Sequence, residues 1–364
     1  MELQKSYAEI DLRALSHNLS IVRRDTENKE IMAVVKADAY GHGAARVSKH
    51  LLNNKVSMLG VAFLKEAVDL REAGITAPIL IFFDTSNIET CLRYNITPTV
   101  FDLNTARKFS TAASRLNIKI PVHIKVDTGM GRVGLDMKNA IETITRIAGL
   151  DNIKPEGLMS HFPDADIEDK SFARLQLKNF KQLVKSLKTR KINFRYLHMA
   201  NSAAVLTMPE ASFNMVRPGI MLYGYGPTDN NSLKPVLSLK SRILFLKKVP
   251  AGTPVSYGRT FITKKKSRIA TVPVGYADGY SRKLSNQGKV IINGILAPVI
   301  GRVCMDTIMV DVTDIKGIRT GAEVILIGRQ GRQKISAWDI AEKTGTIPYE
   351  VLTSIGERVK RVYK

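Results

Sequence analysis

The chain has 364 residues, 44% of them hydrophobic, enough for a large barrel with an appended domain and too apolar for a disordered or fibrous protein. Its 55 Lys and Arg against 33 Asp and Glu leave a net charge of +22, a balance that invites an acidic partner. Two cysteines without metal-ligand or redox-pair spacing, an opening segment that reads as neither signal nor transit peptide, and no run of membrane-spanning length lead us to expect a cytoplasmic protein.

From residue 31 to about 226, short apolar runs alternate with helical patterns. Eight strands are predicted: 31–35, 58–62, 79–83, 97–101, 120–126, 156–160, 194–198 and 214–216. Helices are predicted between them over 64–73, 103–116, 140–150 and 171–189. Eight such units close naturally into a barrel with its chemistry at the carboxyl ends of the strands. The first strand ends on Lys36, followed by Ala-Asp-Ala-Tyr-Gly-His. A lysine is rarely left at the end of a core strand, because its ammonium is costly to bury unless paired or neutralised. Desolvation also lowers its pKa, as an imine-forming or general-base amine requires. Other polar candidates fall at later strand ends: Arg132, His161, Asn201 with Ser202, and Arg217 with Gly219. Barrels commonly bind phosphate after strands seven and eight, which points to Ser202, Gly219 and Ile220.

Lys178, Lys181, Lys185 and Lys188 recur three and four apart on one helix, with Leu175, Leu183 and Leu187 on another face. That spacing describes the solvated face of an amphipathic helix. No motif with aromatic platforms or zinc ligands accompanies the charge, so no nucleic-acid partner is expected. After Asn230-Asn-Ser-Leu-Lys-Pro235 the pattern changes to long strand-like runs over 236–249, 268–274, 289–300, 304–312 and 323–327, with a late helix over 337–343. The turn Asn293-Gly294 is a hairpin signal. The expected fold is therefore α/β: an N-terminal (β/α)8 TIM barrel over 1–233, whose first ten or so residues are free to join the second domain, and a mostly-β domain over 234–364.

The segment Ala33-Val-Val-Lys-Ala-Asp-Ala-Tyr-Gly-His-Gly43 closely resembles the cofactor-attachment signature of the alanine racemases. The resemblance continues, in the family's order, through Lys125-Val-Asp-Thr-Gly-Met-Gly-Arg132, Arg217-Pro-Gly-Ile220, Val255-Ser-Tyr-Gly-Arg259, Val274-Gly-Tyr-Ala-Asp-Gly-Tyr280, Gly301-Arg-Val-Cys-Met-Asp306 and Thr346-Ile-Pro-Tyr349. It implies a pyridoxal-phosphate-dependent isomerase that interconverts L- and D-alanine for peptidoglycan. Lys36 would hold pyridoxal 5'-phosphate and share acid-base work with Tyr257, one on each face of the α-carbon.

By the same resemblance Tyr40, Asn201, Ser202, Gly219, Ile220 and Tyr349 would hold or support the phosphate. Arg217 would face the pyridine nitrogen and His161 would lie between Arg217 and Tyr257. Arg132 would contact cofactor and substrate carboxylate, Met305 would help bind that carboxylate, and Tyr276 would narrow the entrance. Lys125 would be carbamylated, the resulting anion orienting Arg132. The family also implies a homodimer in which the partner subunit delivers the tyrosine. Serine racemases and broader racemases share most of these blocks. A non-catalytic pyridoxal-phosphate carrier would lack the β domain, and a barrel-type decarboxylase would lack the Val255 and Gly301 blocks.

Overall fold

The structure, a computed structural model, describes residues 6–27, 29–227 and 232–364. Its first strands are β1 (Ser6–Ile10), β2 (Glu30–Val34), β3 (Met58–Val61), β4 (Ile79–Ile81), β5 (Thr97–Val100), β6 (Ile120–Asp127), β7 (Leu135–Asp136), β8 (Ile153–Met159), β9 (Tyr196–Asn201) and β10 (Met215–Arg217). Parallel pairing runs β5-β4-β3-β2-β10-β9-β8-β6, and a further β5–β6 pairing closes the ring. β7 is a short side pair on β6. The eight-stranded barrel expected from the sequence is thus present, with its helices outside.

The helices form where apolar residues recur at helical spacing. In Ser171–Thr189, Ala173, Leu177, Phe180, Leu183 and Leu187 are buried on one side, and Lys178, Lys181, Lys185 and Lys188 stand exposed. Each fully buried Leu or Phe stabilises this docking by about 1.5–3 kcal/mol. Side chains mark several starts: the Asp102 carboxylate accepts from Thr105 N at 2.7 Å, and the Asn201 side chain accepts from Ala204 N at 3.0 Å. Among the described residues, six helices, Leu12–Asp25, Lys36–Gly41, Ala44–Asn53, Ile88–Arg93, Ser202–Thr207 and Pro348–Thr353, lie outside the predicted helical ranges. Among the described residues, no helix is long and apolar enough to cross a membrane.

The chain divides into two compact units. One holds Ser16–Ala39 and Ala44–Leu233, which is the barrel. The other holds Lys234–Lys364 together with the described chain up to Leu15 and the four residues Tyr40–Gly43. Asn230 and Asn231 of the boundary turn lie outside the described residues.

The second unit adds β11 (Leu237–Arg242), β12 (Phe245–Val249), β13 (Pro254–Val255), β14 (Phe261–Ile262), β15 (Ser267–Val272), β16 (Lys289–Ile292), β17 (Ile295–Ile300), β18 (Ile308–Asp311), β19 (Glu323–Gln330), β20 (Gln333–Ile335) and β21 (Lys360–Tyr363). Its main sheet runs β12-β15-β18-β17-β16-β19-β11-β1-β21, with β20 on β19. The run 236–249 is therefore not one strand. It breaks after Arg242, and its halves pair with β19 on one side of the break and with β15 on the other. The Asn293-Gly294 turn has positive φ at both residues, 50° and 74°, as a tight hairpin between β16 and β17 requires.

Candidate functional site

β2 delivers Lys36 to the carboxyl-terminal mouth of the barrel, where Val35 N donates to Gly60 O of β3. The backbone then turns left-handed. Ala37, Asp38, Ala39 and Tyr40 have φ of 51°, 52°, 54° and 55°, and Gly41 has 81°. Left-handed helical backbone costs L-residues roughly 1–2 kcal/mol each, so four in a row must be held by their surroundings. Ala37 N donates to the Glu66 carboxylate at 2.5 Å, Ala39 N to Val35 O at 2.9 Å, and Ala44 N to the Asp38 carboxylate at 2.7 Å. Burial holds the half-buried Lys36 amine below its ordinary range, Arg132 adds to the shift and Glu66 opposes it.

Further cations gather at the same mouth. Lys125 lies buried near the end of β6, its Nζ donating to Val133 O at 2.6 Å. Burial pushes its amine down to about 8, with Asp127 opposing and Arg217 and Arg132 adding. Arg132 stacks over the Phe83 ring, 4.9 Å from its centroid. The loop carrying it is shaped by Asp127, whose carboxylate accepts from Gly129 N, Met130 N and Arg132 N at 2.9, 2.7 and 3.1 Å. Burial works against that charge, yet the backbone N–H groups hold the carboxyl below the usual range.

Arg217, at the end of β10, is buried and donates to Ser160 O (2.7 Å), His198 O (2.8 Å), Met199 O (3.1 Å), His198 Nδ1 (2.9 Å) and His161 Nδ1 (3.2 Å). Burial and Arg132 bring it down to about 9, still charged at neutral pH. An arginine can only donate, so His161 Nδ1 is an acceptor and the ring carries its proton on Nε2. Burial, then Arg217 and the other cations, hold His161 well below its ordinary pKa. A buried chain of side chains fixes its strand end. Ser160 Oγ donates to Val126 O at 2.9 Å, so Thr128 Oγ1 donates to Ser160 Oγ at 2.7 Å, and Gln176 Nε2 donates to Thr128 Oγ1 and His161 O, both at 3.3 Å.

Ser202 lies where β9 meets the helix Ser202–Thr207. Its Oγ accepts from Gly219 N at 2.8 Å and Met221 N at 3.3 Å, which leaves its own O–H to donate. Ile220 opens a one-turn 3-10 helix beside it. The mouth therefore combines an amine, three further cations and a cluster of small-residue donors, which fits a phosphate and a carboxylate. Among the described residues, the five Arg217 bonds run through Nη1 and Nη2, which leaves Nε–H as a suitable donor for an aromatic ring nitrogen.

The remaining candidates belong to the second unit. Tyr40 and Tyr349 approach with ring centroids 5.9 Å apart. Tyr257 sits on a loop flanked by Ser256, Gly258 and Arg259, all with positive φ, and its side chain is 70% exposed. Ser256 Oγ anchors that loop on Arg302 O at 2.7 Å. Tyr276 N donates to Cys304 O and Ala277 N to Met305 O, both at 3.1 Å, which stitches the Tyr276 loop to the exposed Met305 loop. Gly275 is required there, because a Cβ would stand 2.2 Å from Met305 O. Asp278 ties the assembly together, accepting from Gly275 N at 2.8 Å and from Arg358 Nε at 2.7 Å. The sequence reading gave no role to Ser160, Gln176, Asp127, Asp278, His198 or His123. Asp127 and Asp278 carried a signal as members of the 125–132 and 274–280 blocks, and the other four carried none.

The family model for the alanine racemase N-terminal domain matches residues 10–227, and that for the alanine racemase C-terminal domain matches residues 236–363. The chain is 49% identical over 366 residues to an alanine racemase of Halothermothrix orenii, covering 99% of this chain and 97% of the relative. The chain belongs to the alanine racemase family. Among solved structures, the alanine racemase of Clostridium difficile 630 superposes with a TM-score of 0.95 at 40% identity, covering 100% of this chain and 97% of that one. The alanine racemase of Bartonella henselae, solved with covalently bound pyridoxal phosphate, has a TM-score of 0.88 at 32% identity and covers 99% of each chain. The likeness extends through both units, so the barrel and the β domain are those of an alanine racemase.

Proposed function

We propose that this enzyme interconverts L- and D-alanine with pyridoxal phosphate held on Lys36, and so supplies D-alanine for peptidoglycan. The observation that carries the reading is an amine of depressed pKa at a strained turn, with Arg132 acting on it and with Lys36, Lys125, Arg132 and Arg217 all acting on His161. Ser202, Gly219, Ile220, Tyr40 and Tyr349 bind the phosphate, with Asn201 capping the helix behind Ser202. Arg217 would donate from Nε–H to the ring nitrogen without protonating it, since a guanidinium does not release its proton. Bound covalently, the cofactor draws electron density from the substrate's α-carbon and acidifies its C–H.

Racemisation needs the proton removed from one face and returned on the other. Lys36 handles one face and Tyr257 the other. An ordinary phenol has a pKa near 10 and is a poor base. His161, with its Nδ1 taken by Arg217, keeps Nε2–H to donate to the phenol oxygen and favours its anion. Arg132 and the Met305 backbone hold the carboxylate, and Tyr276 limits the side chain to a small one.

Tyr257, Met305 and Tyr276 are all exposed, and Lys36 and Tyr257 belong to different units. Such a cluster of exposed apolar side chains fits a twofold homodimer in which the partner subunit contributes Tyr257. Incubation with pure L-alanine, followed by chiral chromatography, should yield equal amounts of both enantiomers, because mirror images have equal free energy. Lys36→Ala should abolish the reaction and the covalent cofactor absorbance. Parallel incubations with L-serine and L-lysine should give far slower conversion. Cofactor binding without D-alanine formation would overturn the reading.

A further inference from the structure

Two buried histidines that the reaction above does not use lie in line behind Arg217. His198 Nδ1 is 2.9 Å from Arg217 Nη1, and His198 Nε2 is 2.8 Å from His123 Nδ1. Both rings are fully buried. The polarity of the line follows from its first member. Arg217 can only donate, so His198 Nδ1 accepts and its proton sits on Nε2. That N–H must then donate to His123 Nδ1, which leaves the His123 proton on Nε2, where no acceptor meets it among the described residues.

The register explains how rings on non-adjacent strands meet. His123 lies on β6 and His198 on β9, with β8 between them in the sheet. The Cα partner of His123 on β8 is Gly157. A Cβ at Gly157 would stand 2.5 Å from Cγ and Nδ1 of His123. The bare backbone of β8 is what lets the His123 ring lie across toward His198.

We propose that His123 and His198 are positioning residues that act through Arg217: they accept in sequence across the barrel, fix the guanidinium in one orientation and so keep its Nε–H free for the cofactor ring. Gly157 is the gap that makes this line possible. Both rings remain neutral, because burial and the Arg217 charge hold His198 well below its ordinary pKa and His123 down to about 3. A neutral relay adds no second cation next to Arg217 and commits its Nη1 to one geometry. The inference rests on the reading that Arg217 faces the cofactor's ring nitrogen.

Nitrogen-15 NMR of the full-length holoenzyme, labelled at histidine, tests the tautomers without reference to turnover. Both His198 and His123 should carry their proton on Nε2. A proton on His198 Nδ1, or a charged ring, would overturn the relay. His123→Gln, whose Oε1 can still accept from His198, should keep kcat within about threefold of the parent, whereas His123→Leu should lower kcat about tenfold with the KM for alanine nearly unchanged. The absorbance of the bound cofactor should shift in the Leu variant and not in the Gln variant. Equal losses in both variants, or none in either, would reduce His123 to packing; should the Leu variant not fold, the parent spectrum and the Gln variant still decide. A parent enzyme with these tautomers that racemised nothing would sink the proposed function and leave the hydrogen-bond polarity standing.

Discussion

Lys125 and Asp127 lie two residues apart at the same strand end and both are held below their ordinary ranges, although the Asp127 charge opposes the Lys125 shift. The Lys125 amine, pushed down to about 8, is partly unprotonated near neutral pH and available to add carbon dioxide. In that step the amine nitrogen bonds to the carbon, an oxygen takes the electron pair and the amine proton leaves to water. The product would be an anion where a cation stood. Holoenzyme equilibrated with carbon-13 bicarbonate should show a carbamate resonance that Lys125→Ala lacks. Asp127 behaves as a depressed carboxylate, so the stability it contributes is present above the pKa of the unfolded chain and is lost as pH falls through its lower folded value. The parent should therefore be more stable than Asp127→Asn at neutral pH, and the gap should close below about pH 4 in denaturant titrations. Lysine, arginine and the glycine-bearing turn were legible here because cations at strand ends are unusual. The histidines behind Arg217 were not, since a neutral pair buried inside strands disturbs no hydrophobic pattern. Nor does any sequence signal announce that Gly157 serves as a gap.

Among the elements, the left-handed turn after β2 was invisible in the sequence. Ala37, Asp38, Ala39 and Tyr40 include no glycine, and nothing in their types asks for positive φ. The strain of about 4–8 kcal/mol that such a run implies is carried by Glu66, Asp38 and neighbouring carbonyls. Gly41 closes the turn at φ 81°, where a Cβ would approach Leu352 O to 2.4 Å. Gly41→Ala should lower stability by about 2 kcal/mol or more in chemical denaturation, and should loosen cofactor binding along with it. The barrel strands, by contrast, were readable almost to their ends. Strands buried on both faces are continuous apolar runs, and the amphipathic helices between them leave few alternatives. The β domain was read less well. Val236–Val249 looks like one long strand because both halves are apolar, and only tertiary pairing separates β11 from β12.

At the scale of the whole molecule, the exposed Tyr257 and Met305 predict that a single chain is incomplete. Mixing inactive Lys36→Ala and Tyr257→Phe chains under exchange conditions should restore activity, since one of the two sites in each hybrid dimer would be intact. Failure to recover any activity after verified exchange would assign the site to one chain. The surplus of basic residues was legible as a number and silent as to purpose. It is spread over helix faces such as Ser171–Thr189, which carries no acid at all. Family membership, in turn, was readable from motif blocks that recur in the family's order along nearly the whole chain.

The first strand of the sheet has neighbours that arrive very late. Tyr7 pairs with Lys240 on one side and Lys360 on the other, and every barrel strand lies between Tyr7 and Lys240 in the chain. On the ribosome, β1 must therefore wait exposed until the barrel has been synthesised and the final strand has left the exit tunnel. Nascent chains stalled before Lys360 should carry a protease-resistant barrel beside a sheet that is still cleavable along one edge of β1, and the emergence of β21 should close that remaining edge.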